Sequence, residues 1–157
     1  GEFDAVVSVE MIEAVGEEYW PMYFRAIDDL LAPGGVAAIQ SILMSHERYR
    51  ATRHSYGWIQ KHIFPGGMIP SLRAIEETAR DRTGLRVDRV HHFGFHYAET
   101  LRRWRHAFIA ASNQVEALGF DETFRRKWEF YLAYCEAGFA ADYIDVAQIR
   151  LERQETR

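Results

Sequence analysis

Cysteine is almost missing from this chain of 157 residues: Cys135 stands alone, which excludes an intramolecular disulfide and a thiolate-built metal site. Such usage fits a reducing, cytoplasmic setting. No run approaches the roughly 18 consecutive apolar residues of a membrane span, and the N-terminus lacks the basic-then-apolar layout of a secretory signal. Positive charge is not in excess either. Nineteen Lys and Arg against 23 Asp and Glu leave a formal charge of −4, so no overall cationic field exists for nucleic acid, while peripheral contact with a membrane surface stays open. Repeats and low-complexity linkers are absent too. What the chain does have is core material: 48% hydrophobic residues, with 10 Phe, 8 Tyr and 4 Trp, is enough to fill one domain of ordinary size.

The order of elements predicts an α/β fold. Phe3 to Val9 is short, apolar and β-branched, as in a parallel strand buried on both faces. Trp20, Phe24, Ile27 and Leu31 then follow a helical four-three-four spacing, which Ala32-Pro33-Gly34-Gly35 ends. Val36 to Leu43 reads as a second buried strand and completes a β-α-β unit. Residues 44–67 are polar and irregular around Tyr56, Trp58, Ile59, Ile63 and Phe64, and read as an insertion or lid closed by Pro65-Gly66-Gly67. Ser71 caps a helix over 72–82, and Leu85 to Phe93 suits a strand. Two helices follow. Leu101, Trp104, Phe108, Ala111, Val115 and Leu118 mark the first, Gly119 breaks it, and Asp121 caps a second that carries Phe124, Trp128, Tyr131, Cys135 and Phe139. The pair forms a helical insertion at about 97–142, before a last strand at 144–151.

A doubly wound nucleotide fold places its glycine-rich loop after its first strand, yet no G-x-G-x-x-G occurs here. The chain therefore reads as the C-terminal portion of a longer domain, starting near the middle of its sheet. A strand at residue 4 with no earlier neighbour invites pairing, with a second copy in a homo-oligomer or with another chain segment.

Val7-Ser8-Val9-Glu10-Met11-Ile12-Glu13-Ala14-Val15-Gly16 resembles the post-strand motif of cyclopropane-fatty-acyl-phospholipid synthases and the related mycolic acid cyclopropane synthases. Further matches keep the family's order: Leu31-Ala32-Pro33-Gly34-Gly35, Ile63-Phe64-Pro65-Gly66-Gly67, Phe93-Gly94-Phe95-His96-Tyr97, and the stretch from Trp128 through Gly138-Phe139. Together they span nearly the whole chain. The resemblance implies the C-terminal part of a class I (Rossmann-like) methyltransferase sheet, from its fourth strand onward, with an inserted helical pair. It also implies S-adenosylmethionine as cofactor, held by a glycine-rich loop outside this chain. The implied substrate is an unsaturated phospholipid at the membrane surface. Methyl transfer to its cis double bond leaves a carbocation, and bicarbonate takes a proton from the new methyl group so that a cyclopropane closes.

Carried over by position, the anion-binding carboxylate of this family falls on Glu13, its phenolic donor on Tyr97 and a backbone contact on Ile42. A histidine of the best-known members is replaced by Gln40, and another by Ala14. Glutamine can donate to an anion but cannot titrate or relay a proton. The expected catalytic set is thus Glu13, Gln40 and Tyr97, with a methyl-branched product, a methylene product or a small-molecule acceptor as alternatives to ring closure. A non-catalytic lipid-binding or assembly role is the alternative outside enzyme chemistry.

Residue chemistry alone keeps simpler readings beside these. Glu13 and Glu10 also suit carboxylates near a helix start, Gln40 a satisfied buried amide, and Tyr97 a packing tyrosine. His91, His92 and His96 lack the further ligands and common face that a metal requires, so no metal is expected. Cys135 lies on an apolar stripe, as a core thiol would. Arg102, Arg103 and Arg105 read as a solvated face or as contacts to lipid phosphates.

Overall fold

The computed structural model describes residues 2–153. Two compact units divide it: Phe93–Asp145, and the remainder, which holds the sheet.

In the sheet unit, β1 (Phe3–Val9) leads through α1 (Ile12–Val15), a 3-10 turn over Glu17–Tyr19 and α2 (Trp20–Leu30) into the parallel strand β2 (Leu31–Met44). Pro21 sits in the first turn of α2, where its missing N–H costs nothing. Trp20, Tyr23, Phe24 and Ile27 form the buried stripe that the spacing predicts, and Leu31 is buried as the first residue of β2. The second strand starts earlier than Val36. Its register with β1 jumps from Phe3↔Leu31 to Ala5↔Val36, so Ala32-Pro33-Gly34-Gly35 bulges out within the strand. Gly35 is required there, since a Cβ would lie 2.9 Å from the Ala32 carbonyl oxygen and 3.0 Å from that of Phe3.

Burial along β2 alternates. Ala37, Ile39, Ser41 and Leu43 face the core, whereas Ala38, Gln40 and Ile42 are half-buried on the other side. Within this chain Phe3, Val7 and Val9 of β1 are exposed. As the end strand of the order β1-β2-β4-β3, β1 has a neighbour on one edge only, and its alternate side chains miss the core under α2.

The segment read as an irregular lid contains two short helices, α3 (His46–Thr52) and α4 (Trp58–His62). Next, α5 (Leu72–Arg82) is capped by Ser71, whose Oγ accepts from the Ala74 N–H at 3.2 Å. The strand β3 (Leu85–His92) pairs antiparallel with β4 (Ile144–Arg153), which inserts between β2 and β3. Ile75, Leu85, Ile149 and Leu151 close the core.

The second unit is the helical insertion, with α6 (Gly94–Ala110), α7 (Ser112–Ala117) and α8 (Glu122–Ala140). Gly119 takes a φ of +91° after α7, and the Asp121 carboxylate accepts from the Phe124 N–H at 2.7 Å to start α8. Tyr97 of α6 meets Phe139 of α8 with ring centroids 4.8 Å apart, and Arg105 pairs with Glu136 across the same two helices at 3.0 Å. The predicted stripes are buried only in part: Leu101 and Phe139 are enclosed, as is Leu132 outside them, but Trp104 and Leu118 are exposed. Cys135 is half-buried, and loss of water pushes its thiol up to about 11, far from a nucleophile's range.

Candidate active site at the carboxyl end of the first strand

The chain leaves β1 through Glu10, which takes a φ of 48°, a left-handed conformation unusual for a residue with a side chain. Its N–H donates to the Gln40 carbonyl at 2.8 Å, tying the turn to β2. This turn sends Ile12 into the core and brings Glu13 over the end of β2. Ile12 is held by its carbonyl too, which accepts from the Trp20 indole at 3.1 Å.

Glu13 is the centre of the site. Its Oε1 accepts from the Ile42 N–H at 2.6 Å and from the Ser41 hydroxyl at 3.0 Å. That hydroxyl has a single proton and a second acceptor, the Ile42 carbonyl at 2.9 Å, so the hydrogen bond to Glu13 is shared. Oε2 is buried and has no hydrogen-bond partner among the described residues. Burial pushes the carboxyl above the ordinary glutamate value, the hydrogen bonds pull the other way, and the nearby Glu10 charge adds to the rise. The carbonyl of Glu13 accepts from the Met68 N–H at 2.8 Å, which ties the end of the lid segment to the site. Behind it, the Tyr23 hydroxyl donates to Ser8 Oγ at 2.8 Å; burial raises this phenol, as does the Glu13 charge.

Of the residues expected from sequence, the structure brings Glu13 and Ile42 into contact. The side chain of Gln40 leaves the opposite face of β2 from Ser41, donating from Nε2 to Glu10 at 2.9 Å and accepting from Gln148 at 3.3 Å. Tyr97 stands on α6 in the helical unit, with its ring against Phe139. Sequence reasoning missed Ser41. A signal was present, since a lone hydroxyl between Ile39 and Leu43 on the buried face of a strand must find a partner. Among the described residues no group of His, Cys, Asp or Glu could hold a metal ion, and no helix is long and apolar enough to cross a membrane.

Tuberculostearic acid methyltransferase UfaA1 of Mycobacterium tuberculosis is 54% identical over 98% of this chain and 36% of its own length. The cyclopropane-fatty-acyl-phospholipid synthase of Escherichia coli is 32% identical over 97% of this chain and 38% of its own. This chain therefore spans little more than a third of those proteins. The crystal structure of mycolic acid cyclopropane synthase CmaA1 complexed with SAH and CTAB superposes with a TM-score of 0.86 at 30% identity, covering 97% of this chain and 56% of that one. The α/β sheet is thus that of the class I methyltransferases. With the mycolic acid cyclopropane synthetase family matching residues 1–149, the chain belongs to that family.

Proposed function

We propose that the protein carrying this chain transfers a methyl group from S-adenosylmethionine, which leaves as S-adenosylhomocysteine, to the cis double bond of an unsaturated phospholipid acyl chain at the cytoplasmic membrane surface, and that the resulting carbocation loses a proton to leave a methyl-branched olefin or an exocyclic methylene. One observation carries the choice of product. Of the three donors expected around a bicarbonate, the Ile42 N–H is given to Glu13 itself at 2.6 Å, and the Gln40 amide gives an N–H to Glu10 at 2.9 Å. Ile42 and Gln40 thus hold carboxylates in place of that anion, and no step is routed through it. The name of the 54% identical relative, a methyltransferase, supports the same product class.

The cofactor fits better than the anion. Glu10 and Glu13 place two carboxyl groups at the carboxyl end of a parallel strand, where open α/β sheets bind ligands, and a sulfonium cation relieves their repulsion. When bound, S-adenosylmethionine supplies the electrophilic methyl group. Glu13 supplies a carboxyl that burial biases toward its protonated form, with Oε2 available to donate when protonated or to accept when ionised.

Ring closure to a cyclopropane is the second reading, favoured by the name of the 32% identical Escherichia coli relative and by the presence of Glu13. Mass spectrometry and proton NMR of an unsaturated phospholipid incubated with the complete protein and S-adenosylmethionine separate the two. Gain of one CH2 with a branch-methyl or exocyclic methylene signal is expected. Upfield cyclopropyl protons would establish the second reading, and unchanged lipid would overturn both.

A further inference from the structure

An open cleft of about 450 Å³ lies within the sheet unit, bounded by the 3-10 turn before α2, by α3 and by the first turns of α5. Three guanidinium groups, Arg50, Arg53 and Arg73, face two carboxylates, Glu17 and Glu77, so the lining carries one excess positive charge. Arg53 gives Nη1 to Glu17 at 3.0 Å, and Arg73 gives Nε to Glu77 at 2.8 Å. Arg53 also gives Nε to His54 at 3.1 Å, so its five-donor fork keeps three N–H groups and that of Arg73 keeps four. The side chain of Arg50 is exposed and has neither an ion pair nor a hydrogen bond among the described residues.

His46 also lines the cleft. Its Nδ1 lies 2.8 Å from the Oγ of the buried Ser71, which also accepts from the Ala74 N–H. The floor is rigid: Tyr49 and Trp20 are almost fully buried and stack with centroids 6.1 Å apart, and the Tyr49 hydroxyl donates to Glu17 at 2.5 Å.

We infer that this cleft binds a phosphate group, held by Arg50 and by the uncommitted N–H groups of Arg53 and Arg73. Planar forks match the several oxygens of a phosphate, and an unpaired guanidinium beside two half-paired ones leaves charge for an anion to neutralise. The basic residues singled out from sequence offer no such surplus, since Arg102 and Arg103 pair with Glu99, and Arg105 with Glu136. Glu17, on the cleft wall, follows Glu13 by four residues, and α3 departs from the end of β2 that carries Ile42. That the phosphate belongs to a phospholipid headgroup rests on the function proposed above; a free phosphate would use the same chemistry.

Isothermal titration of the complete protein with dihexanoylphosphatidylglycerol below its micellar concentration, and separately with inorganic phosphate, tests the cleft. Arg50→Gln is expected to weaken binding of the short-chain lipid roughly tenfold, Arg50→Lys to keep part of it, and Arg50→Gln with Arg73→Gln to abolish it, with melting curves that match wild type. Inorganic phosphate binding as tightly as the lipid, and equally sensitive to the substitutions, supports the phosphate site with free phosphate as its source. Binding of neither probe, or of both with wild-type affinity in the glutamine variants, overturns it. Unchanged lipid in the methyl-transfer assay with phosphate binding intact would remove the proposed reaction and keep the cleft; methylated lipid with no phosphate binding would do the reverse.

Discussion

In the sheet unit Glu13 gives up most of its water and takes two hydrogen bonds on one oxygen, while in the helical unit Glu99 keeps its water and takes Arg102 and Arg103 as partners. Burial lifts the first carboxyl above the ordinary range, and the two guanidiniums hold the second down to about 2. Apolar residues divide the same way. Trp20, Phe24 and Ile75 are sealed in the sheet unit, whereas Phe95 and Leu118 in the helical unit are 81% and 77% exposed. An exposed ion pair is screened by water and contributes little to stability. A buried carboxyl with an unpartnered oxygen costs stability and persists where it has chemistry to perform, which sets Glu13 apart from the paired carboxylates.

The contrast breaks most visibly through the core. Phe24→Ala removes a fully buried ring and should cost about 3–5 kcal/mol, while Phe95→Ala should stay within about 0.5 kcal/mol. Urea denaturation measures both, and similar losses would mean that the helical unit hides as much core as the sheet unit. The next largest effect is catalytic. Glu13→Gln in the complete enzyme should lower turnover about a hundredfold or more and leave affinity for S-adenosylmethionine little changed, as read from initial rates and cofactor titration. Wild-type turnover in that variant would take Glu13 out of the chemistry.

Much of this arrangement is legible in the sequence because local rules act alone there. The α2 stripe, the Ser71 and Asp121 caps and the Gly119 break follow from side-chain spacing and from single hydrogen bonds. Burial of β1 is not legible in this way, because an apolar run says only that a strand can be buried, and what covers its second edge and outer face is decided elsewhere in the fold. Glu13 is found through the resemblance and through its place after a parallel strand, but its partner Ser41 depends on the register of β2. Gln40 illustrates the limit. Position assigns it to the site, and the two-residue period of the strand turns its amide toward Glu10 and Gln148. The cleft beside α3 escapes sequence reading altogether, since Arg50 and Arg73 are brought together by folding alone.

The two carboxyls also predict opposite slopes of stability with pH. A carboxyl raised by burial binds its proton more tightly when folded, so above the ordinary glutamate value of 4.5 and up to the raised value of Glu13 the folded protein holds more protons, and stability falls as pH rises. For Glu99 the sign reverses: between about 2 and 4.5 the unfolded chain holds more protons, and stability rises with pH, weakly because the pair is exposed. Denaturant midpoints across pH test this. Glu13→Gln should flatten the decline above 4.5, and Glu99→Gln should soften the rise below it; a Glu13→Gln profile identical to wild type would deny the raised carboxyl.

The smallest expected effect compares the two helix caps. Ser71 is buried at the start of α5 and serves both Ala74 and His46, so Ser71→Ala removes a cap and leaves an imidazole nitrogen unpaired, for a loss of about 2 kcal/mol. Asp121 is exposed at the start of α8 and serves Phe124 alone, so Asp121→Ala should cost about 1 kcal/mol. Asp121→Asn keeps the side-chain acceptor and loses only the negative charge beside the positive end of the helix, a few tenths of a kcal/mol that added salt should erase. Helical circular dichroism through a denaturant titration resolves the series. A loss at Asp121 equal to that at Ser71 would place the helical unit's start under the same burial as the core; a smaller one confirms that its caps, like its ion pairs, act in water.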